Sequence, residues 1–127
     1  MNQEKRDYCL NCIHKPCQLN GCPIQNRIPE FIKETDEEKA YEIVTSTTLL
    51  GAVCGRICPF SKQCEGVCTR GKMGKPVDIG GIEAEICDNA IKKGFKISKN
   101  INLELQDKKV AIIGAGIFIS QQSHAFM

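Results

Sequence analysis

Eight of the nine cysteines fall into two runs, Cys9, Cys12, Cys17, Cys22 and Cys54, Cys58, Cys64, Cys68, with a proline directly after Cys22 and after Cys58. Short spacers between several thiolates bring many soft ligands within reach of one metal centre. The first run reads Cys-x2-Cys-x4-Cys-x4-Cys-Pro and the second Cys-x3-Cys-x5-Cys-x3-Cys. Structural zinc sites usually close a tetrahedron with two separated Cys-x2-Cys pairs, and only Cys9 and Cys12 obey that spacing. Two-cluster ferredoxins differ in detail, with Cys-x2-Cys-x2-Cys-x3-Cys-Pro, but share the proline and the habit of lending one cysteine to the other cluster. The pattern therefore points to iron-sulfur clusters ahead of zinc. A secreted disulfide scaffold fits less well, because the cysteine count is odd and the charged start Met1–Tyr8 offers no export signal.

Composition sets the surroundings of those thiols. The 127 residues suffice for one domain and a fragment of a second. Apolar residues make up 42% but aromatics only 6%, with no Trp, so the apolar core is modest and an inorganic centre would help to hold the fold. No apolar run is long enough to cross a bilayer, and the expectation is a cytoplasmic protein without a membrane partner. Lys92, Lys93, Lys96 and Lys99 gather along one stretch but lack interleaved aromatics, which makes them a solvated helix end rather than a nucleic-acid surface.

The elements that must position the cysteines are mostly helical. The first run lies in polar, loop-like sequence, and Arg27–Ile32 then starts a helical hairpin. Thr35 with Glu38 three residues on gives a capping-box signal, followed by Ala40, Ile43, Val44 and Thr47 at helical spacing. A further helix is predicted from about Gly81 to Phe95, with Ile82, Ile86, Ala90 and Ile91 as its apolar stripe and Gly94 as its stop. From Lys108 the character changes. Val110-Ala111-Ile112-Ile113 is a β-branched run ending in Gly114-Ala115-Gly116, the pattern of a buried strand meeting a tight turn.

Taken in order, Cys9-Leu-Asn-Cys12-x4-Cys17-x4-Cys22-Pro, Cys54-Gly-Arg-Ile-Cys58-Pro, Cys64-Glu-Gly-Val-Cys68, Pro76-Val-Asp-Ile-Gly80-Gly-Ile-Glu83 and Val110-Ala-Ile-Ile-Gly114-Ala-Gly116 carry a specific resemblance. The chain resembles the start of the glutamate synthase small subunit and the related module of dihydropyrimidine dehydrogenase and other NAD(P)H-dependent flavoproteins. The likeness runs from about residue 9 to residue 116. It implies a mainly α fold: an α-helical ferredoxin-like domain over 1–105 holding two [4Fe-4S] clusters. Residues 106–127 would then be the first β-strand of a Rossmann-type FAD/NAD(P)-binding domain. By the same resemblance one cluster takes Cys9, Cys12, Cys17 and Cys68, and the other takes Cys22, Cys58, Cys64 and Glu83. A glutamate at a helix start ordinarily serves solvent and the helix dipole; the ligand role of Glu83 comes from the resemblance alone. The matching residue of dihydropyrimidine dehydrogenase is a glutamine, so the carboxylate favours the glutamate synthase side of the group. Cys54 falls outside this ligand set and is read as packing. Cys87, one helical turn beyond Glu83, is read as a small buried residue, and His14 and His124 as surface residues.

The formal charge of +2 changes meaning under this reading. With seven thiolates and two oxidised cluster cores of about +2 each, the loaded chain falls to about −1.

The chain departs from the family where nucleotide chemistry would begin. A dinucleotide-binding turn needs a third glycine and an acidic residue about twenty positions on. Here the run is Gly114-Ala115-Gly116-Ile117-Phe118-Ile119, with Gly114 and Gly116 an incomplete cofactor-binding motif, and the last residue is Met127. This tail has the pattern of a truncated or frameshifted reading frame. The expected function is an iron-sulfur electron-transfer module that relays electrons from a flavin to a redox partner protein or large subunit. FAD and NAD(P)H would belong to full-length relatives, and the isolated chain would not be an enzyme by itself. The alternative is a structural or interaction fragment holding zinc or no functional cluster.

Overall fold

The computed structural model describes residues 1–98 and 101–114. The chain divides into two units, Met1–Lys96 and Ile97–Met127. The first is helical: α1 (Gln3–Asp7), α2 (Ile28–Lys33), α3 (Glu37–Thr45), α4 (Gly51–Ile57), α5 (Thr69–Met73) and α6 (Ile79–Lys93), with single helical turns at Cys17–Gly21, Phe60–Lys62 and Glu65–Val67.

Helix α6 is the axis of this unit. The Asp78 side chain caps its start by accepting from the Gly81 N–H at 3.1 Å, and Gly94 ends it in the left-handed conformation at φ 69°. Its buried Ile79, Ile82 and Ile86 meet Ile28, Phe31 and Ile32 of α2 and Ala40 and Val44 of α3 in one core, joined by Val77. Pro29 sits in the first turn of α2, where its missing N–H costs no helical hydrogen bond. The cap of α3 lies one residue beyond the capping-box signal: the Asp36 carboxylate accepts from the Lys39 N–H at 3.0 Å. Asp36 is extended at φ −80° and ψ 120°, the geometry an N-cap needs.

Helix α4 has little apolar bulk, and it approaches α6 through glycines. A Cβ on Gly55 would stand 2.7 Å from the Ala84 nitrogen and 2.8 Å from the Gly80 carbonyl oxygen. One turn earlier, a Cβ on Gly51 would stand 2.6 Å from Cys87 Sγ. Only hydrogens at these positions let the two backbones close.

The N-terminal segment has a structural role that its charged sequence conceals. Arg6 is 2% exposed, with Nε donating to the Ile32 carbonyl at 2.8 Å and Nη2 to the Phe31 carbonyl at 3.2 Å. These are carbonyls of the last turn of α2, which have no helical donor. Burial lowers the Arg6 pKa, and the surrounding carboxylates of Glu85, Glu34, Asp7 and Glu37 oppose that shift.

In the second unit, residues 103–105 form one helical turn with the Asn102 side chain accepting from the Glu104 N–H. The strand predicted at Val110–Ile113 is not formed: the described residues 108–114 have no regular structure, and Val110 and Ile113 are exposed. A β-branched run becomes a strand only against a neighbouring strand that takes its backbone hydrogen bonds, and none of the described residues supplies one. Gly114 adopts φ 113°, in keeping with a turn, while Gly116, His124 and Lys99 lie outside the described residues. No described helix is long and apolar enough to cross a membrane.

Two substitutions test this packing. Gly55→Ala is expected to cost about 1–3 kcal/mol by overpacking the α4–α6 contact. Arg6→Ala is expected to cost about 2–4 kcal/mol through two lost charge-assisted bonds to buried carbonyls. Urea titration of both variants beside the parent protein reads these losses; midpoints unchanged within error would contradict the respective contact.

Candidate metal centres

Four cysteines from distant parts of the chain line one cavity. Cys9 and Cys12 come from the loop after α1, Cys17 from the start of the helical turn Cys17–Gly21, and Cys68 from the start of α5. The rest of the wall is mainly apolar, from Leu10, Pro16, Pro29, Ile32, Val77 and Ile79. Cys12 Sγ lies 3.3 Å from Thr69 Oγ1, and the Asn11 N–H donates to Cys9 Sγ at 3.4 Å. Arg70 closes part of the wall, its guanidinium 4.5 Å from the Tyr8 ring centroid and its Nε donating to the Tyr8 carbonyl at 2.8 Å. Burial pushes the Cys17 thiol up to about 11, against an opposing hydrogen bond from the Gln18 backbone.

A second group gathers where α4 meets α6. Burial, followed by the charge of Glu65, pushes the Cys64 thiol up to about 12, with Cys22 and Glu83 adding to the shift. Cys58 is raised by burial and also feels Glu83 and Cys22. Cys22, Cys58, Cys64 and Glu83 therefore share one electrostatic neighbourhood. Glu83 is 7% exposed, and burial raises its carboxyl to about 7 in spite of a hydrogen bond from Asn26. Cys54 borders this group and donates a hydrogen bond to Cys58; its own thiol is pushed up to about 11, first by burial. Cys87 is buried on the Glu83 side of α6, with its thiol raised to about 12 by burial and then by Glu83.

Local backbone geometry keeps the two groups distinct yet adjacent. The turn at Cys17–Gly21 is π-helical, and the Cys22 N–H donates to the Cys17 carbonyl at 2.8 Å. This bond ties the backbones of Cys17 and Cys22 together while their sulfurs serve different groups. Gly21 permits the contact between the two cysteine runs, since a Cβ there would stand 2.7 Å from the Cys64 Cα. Asn11, Lys15 and Gln25 all adopt positive φ, at 50°, 43° and 53°. Non-glycine residues rarely do so, and all three lie in or just after the first cysteine run.

All nine thiols are free. Among the described residues no three His, Cys, Asp or Glu side chains converge tightly enough for a single metal ion. Cys9, Cys12, Cys17 and Cys68 instead line one mostly apolar cavity, and four thiols there are a donor set that suits a thiolate-held cluster. Spacing alone did not reveal Asn26, Thr69 or Arg70, because each depends on contacts between distant segments; Cys54 beside Cys58 was also missed. The one local signal was the Cys54-Gly55-Arg56-Ile57-Cys58 helical spacing, which sets the two thiols one turn apart.

A helical unit whose cysteines face an apolar cavity has the character of an iron-sulfur domain. Residues 1–95 match the family described as dihydropyrimidine dehydrogenase domain II, 4Fe-4S cluster, and the chain belongs to that family. It is 39% identical over 113 residues to the glutamate synthase [NADPH] small chain of Escherichia coli (strain K12), covering 87% of this chain and 24% of that one. The glutamate synthase [NADPH] small chain of Azospirillum brasilense is 37% identical over 121 residues, 89% of this chain and 24% of its own. The NAD-dependent dihydropyrimidine dehydrogenase subunit PreT of Escherichia coli (strain K12) is 37% identical over 111 residues, 85% of this chain and 26% of its own. The chain thus spans about a quarter of the length of these curated relatives.

The raised thiol pKa values predict how loading depends on pH. Metal-free Cys17 and Cys64 hold their protons through neutral pH, whereas ligation requires thiolates, so protons compete with iron. Anaerobic loading with ferrous iron and sulfide is expected to release protons and to accelerate from about pH 6.5 to 8.5. Rates flat across that window in a pH-stat experiment would rule out buried thiols as the limiting ligands.

Proposed function

We propose that the Met1–Lys96 unit is a double-cluster electron relay. Cys9, Cys12, Cys17 and Cys68 hold one [4Fe-4S] cluster, and Cys22, Cys58, Cys64 and Glu83 hold the other. The observation that carries this reading is the four-cysteine cavity beside a second group of three cysteines and a buried carboxylate. Such clusters supply one-electron transfer without large rearrangement.

The chain's own residues do the rest. The apolar wall around Cys9, Cys12, Cys17 and Cys68 excludes water, which tunes a cluster's potential. Backbone N–H groups of Asn11 and Asn26 donate to Cys9 and Cys22 and withdraw charge from those sulfurs. The 2.8 Å bond between Cys22 and the Cys17 carbonyl keeps the two ligand sets close, as a relay requires.

By likeness to the glutamate synthase small chains, the electrons come from a flavin reduced by NADPH and leave to a partner subunit or domain. Residues 106–127 would be the start of the flavin-binding domain, and the isolated chain would transfer electrons without completing a reaction.

Iron, acid-labile sulfide and zinc analysis of anaerobically purified protein tests the reading. About eight irons and eight sulfides per chain are expected. Cys68→Ser is expected to remove about half of both, and Cys64→Ser the other half. Stoichiometric zinc without sulfide would replace the relay by a structural metal module.

A further inference from the structure

Asn26 is polar, 2% exposed and fully engaged, in a position where an apolar residue would ordinarily be cheaper. Its side-chain Nδ2 donates to Glu83 Oε1 at 3.1 Å. Its backbone N–H points at Cys22 Sγ at 3.4 Å. Its Oδ1 accepts from the Arg27 N–H at 2.9 Å, and its carbonyl accepts from the Ile28 N–H at 2.7 Å. The last two contacts seat Asn26 at the start of α2, and the first two reach two members of the second group from different parts of the chain. The left-handed Gln25, at φ 53°, directly precedes it and turns the Asn26 N–H towards the sulfur.

We infer that Asn26 is the positioning residue of the second cluster site, fixing the Glu83 carboxylate through Oε1 so that its other oxygen is presented to iron. The inference rests on the double-cluster reading. A carboxylate on a free side chain samples several rotamers and both oxygens. The amide bond selects one plane, and the packing of α2 against α6 makes that selection rigid. The same bond draws negative charge from the carboxylate. Reduction adds an electron to the cluster, so the bond stabilises the reduced form and holds the site's potential up.

Two near-isosteric variants separate this role from simple packing. Asn26→Leu removes donor and acceptor together. Asn26→Asp keeps an oxygen for the Arg27 N–H but replaces the donor with a carboxylate facing Glu83. The full chain is purified anaerobically, its iron and sulfide are counted, and the two clusters are followed by EPR during potentiometric titration at pH 8. Glu83→Cys marks which signal belongs to the second site. Both Asn26 variants are expected to shift that signal's midpoint downward, Asp further than Leu because it adds negative charge, and to leave the other signal in place.

Parent protein carrying fewer than two clusters would overturn the double-cluster reading itself. Parent protein with two clusters, and Asn26 variants that move neither midpoint, move both equally or move the marked one upward, would overturn the inference about Asn26 alone. Should the Leu variant fold poorly, the Asp variant still decides the question, since it retains the contact that seats α2.

Discussion

The approach of α4 to α6 is the contact on which the cysteine-bearing unit depends. Gly51 and Gly55 on one helix oppose Gly80, Ala84 and Cys87 on the other, with no room for a Cβ at either α4 position. That closeness sets Cys54, in the middle of α4, and Cys58, at its C-terminal end, into the neighbourhood of Glu83 on α6. The other face of α6 is occupied by α2 and α3, so one helix supplies both the apolar core and the acidic member of the second group. Phe60 fastens the chain that follows α4, its ring lying where a Gly80 side chain would be. With few aromatics to fill volume, the fold gains contact by bringing backbones together rather than by adding bulk.

Burial gives the same residues an electrostatic problem. Thiols and a carboxyl in an apolar setting favour their neutral forms, and Cys17, Cys64 and Glu83 are all raised for that reason before any neighbour is considered. A metal centre reverses the preference, because ligation requires the anionic forms and supplies the compensating charge. Burial therefore favours the protonated forms of Cys17 and Cys64 in the metal-free protein. Hydrogen bonds from the Gln18 backbone to Cys17 and from Asn26 to Glu83 favour the anionic forms from within the chain.

Much of this was legible in the residue order. The cysteine runs, the helical segments around Ile28–Ile32, Ala40–Val44 and Ile82–Ile91, and the Gly94 stop follow from spacing and capping rules that act over a few residues. The short helices α1, α4 and α5 escaped, because a helix of five to seven residues has little periodicity to read and owes its stability to its neighbours. The strand expected at Val110–Ile113 failed for the opposite reason. Its local pattern is strong, but a strand is a property of a pair, and the described residues provide no partner.

The sequence by itself pointed to iron-sulfur chemistry ahead of zinc through residue type and short spacing, and its ordered motifs carried the resemblance to the family that it matches. It also placed Glu83 one turn before Cys87 on the same helix, though that helix begins at Ile79, two residues before the expected Gly81, so Glu83 lies past its first turn. Only the tertiary structure decided that Cys68 lines a cavity with Cys9, Cys12 and Cys17, and that Cys22 lies near enough to Cys64 for its charge to be felt there. It alone assigned Asn26 and Arg6 to buried contacts spanning 57 and 26 residues of chain. Those outcomes depend on which backbones can approach one another, and that is set by glycines and buried hydrogen bonds whose partners lie far apart along the chain.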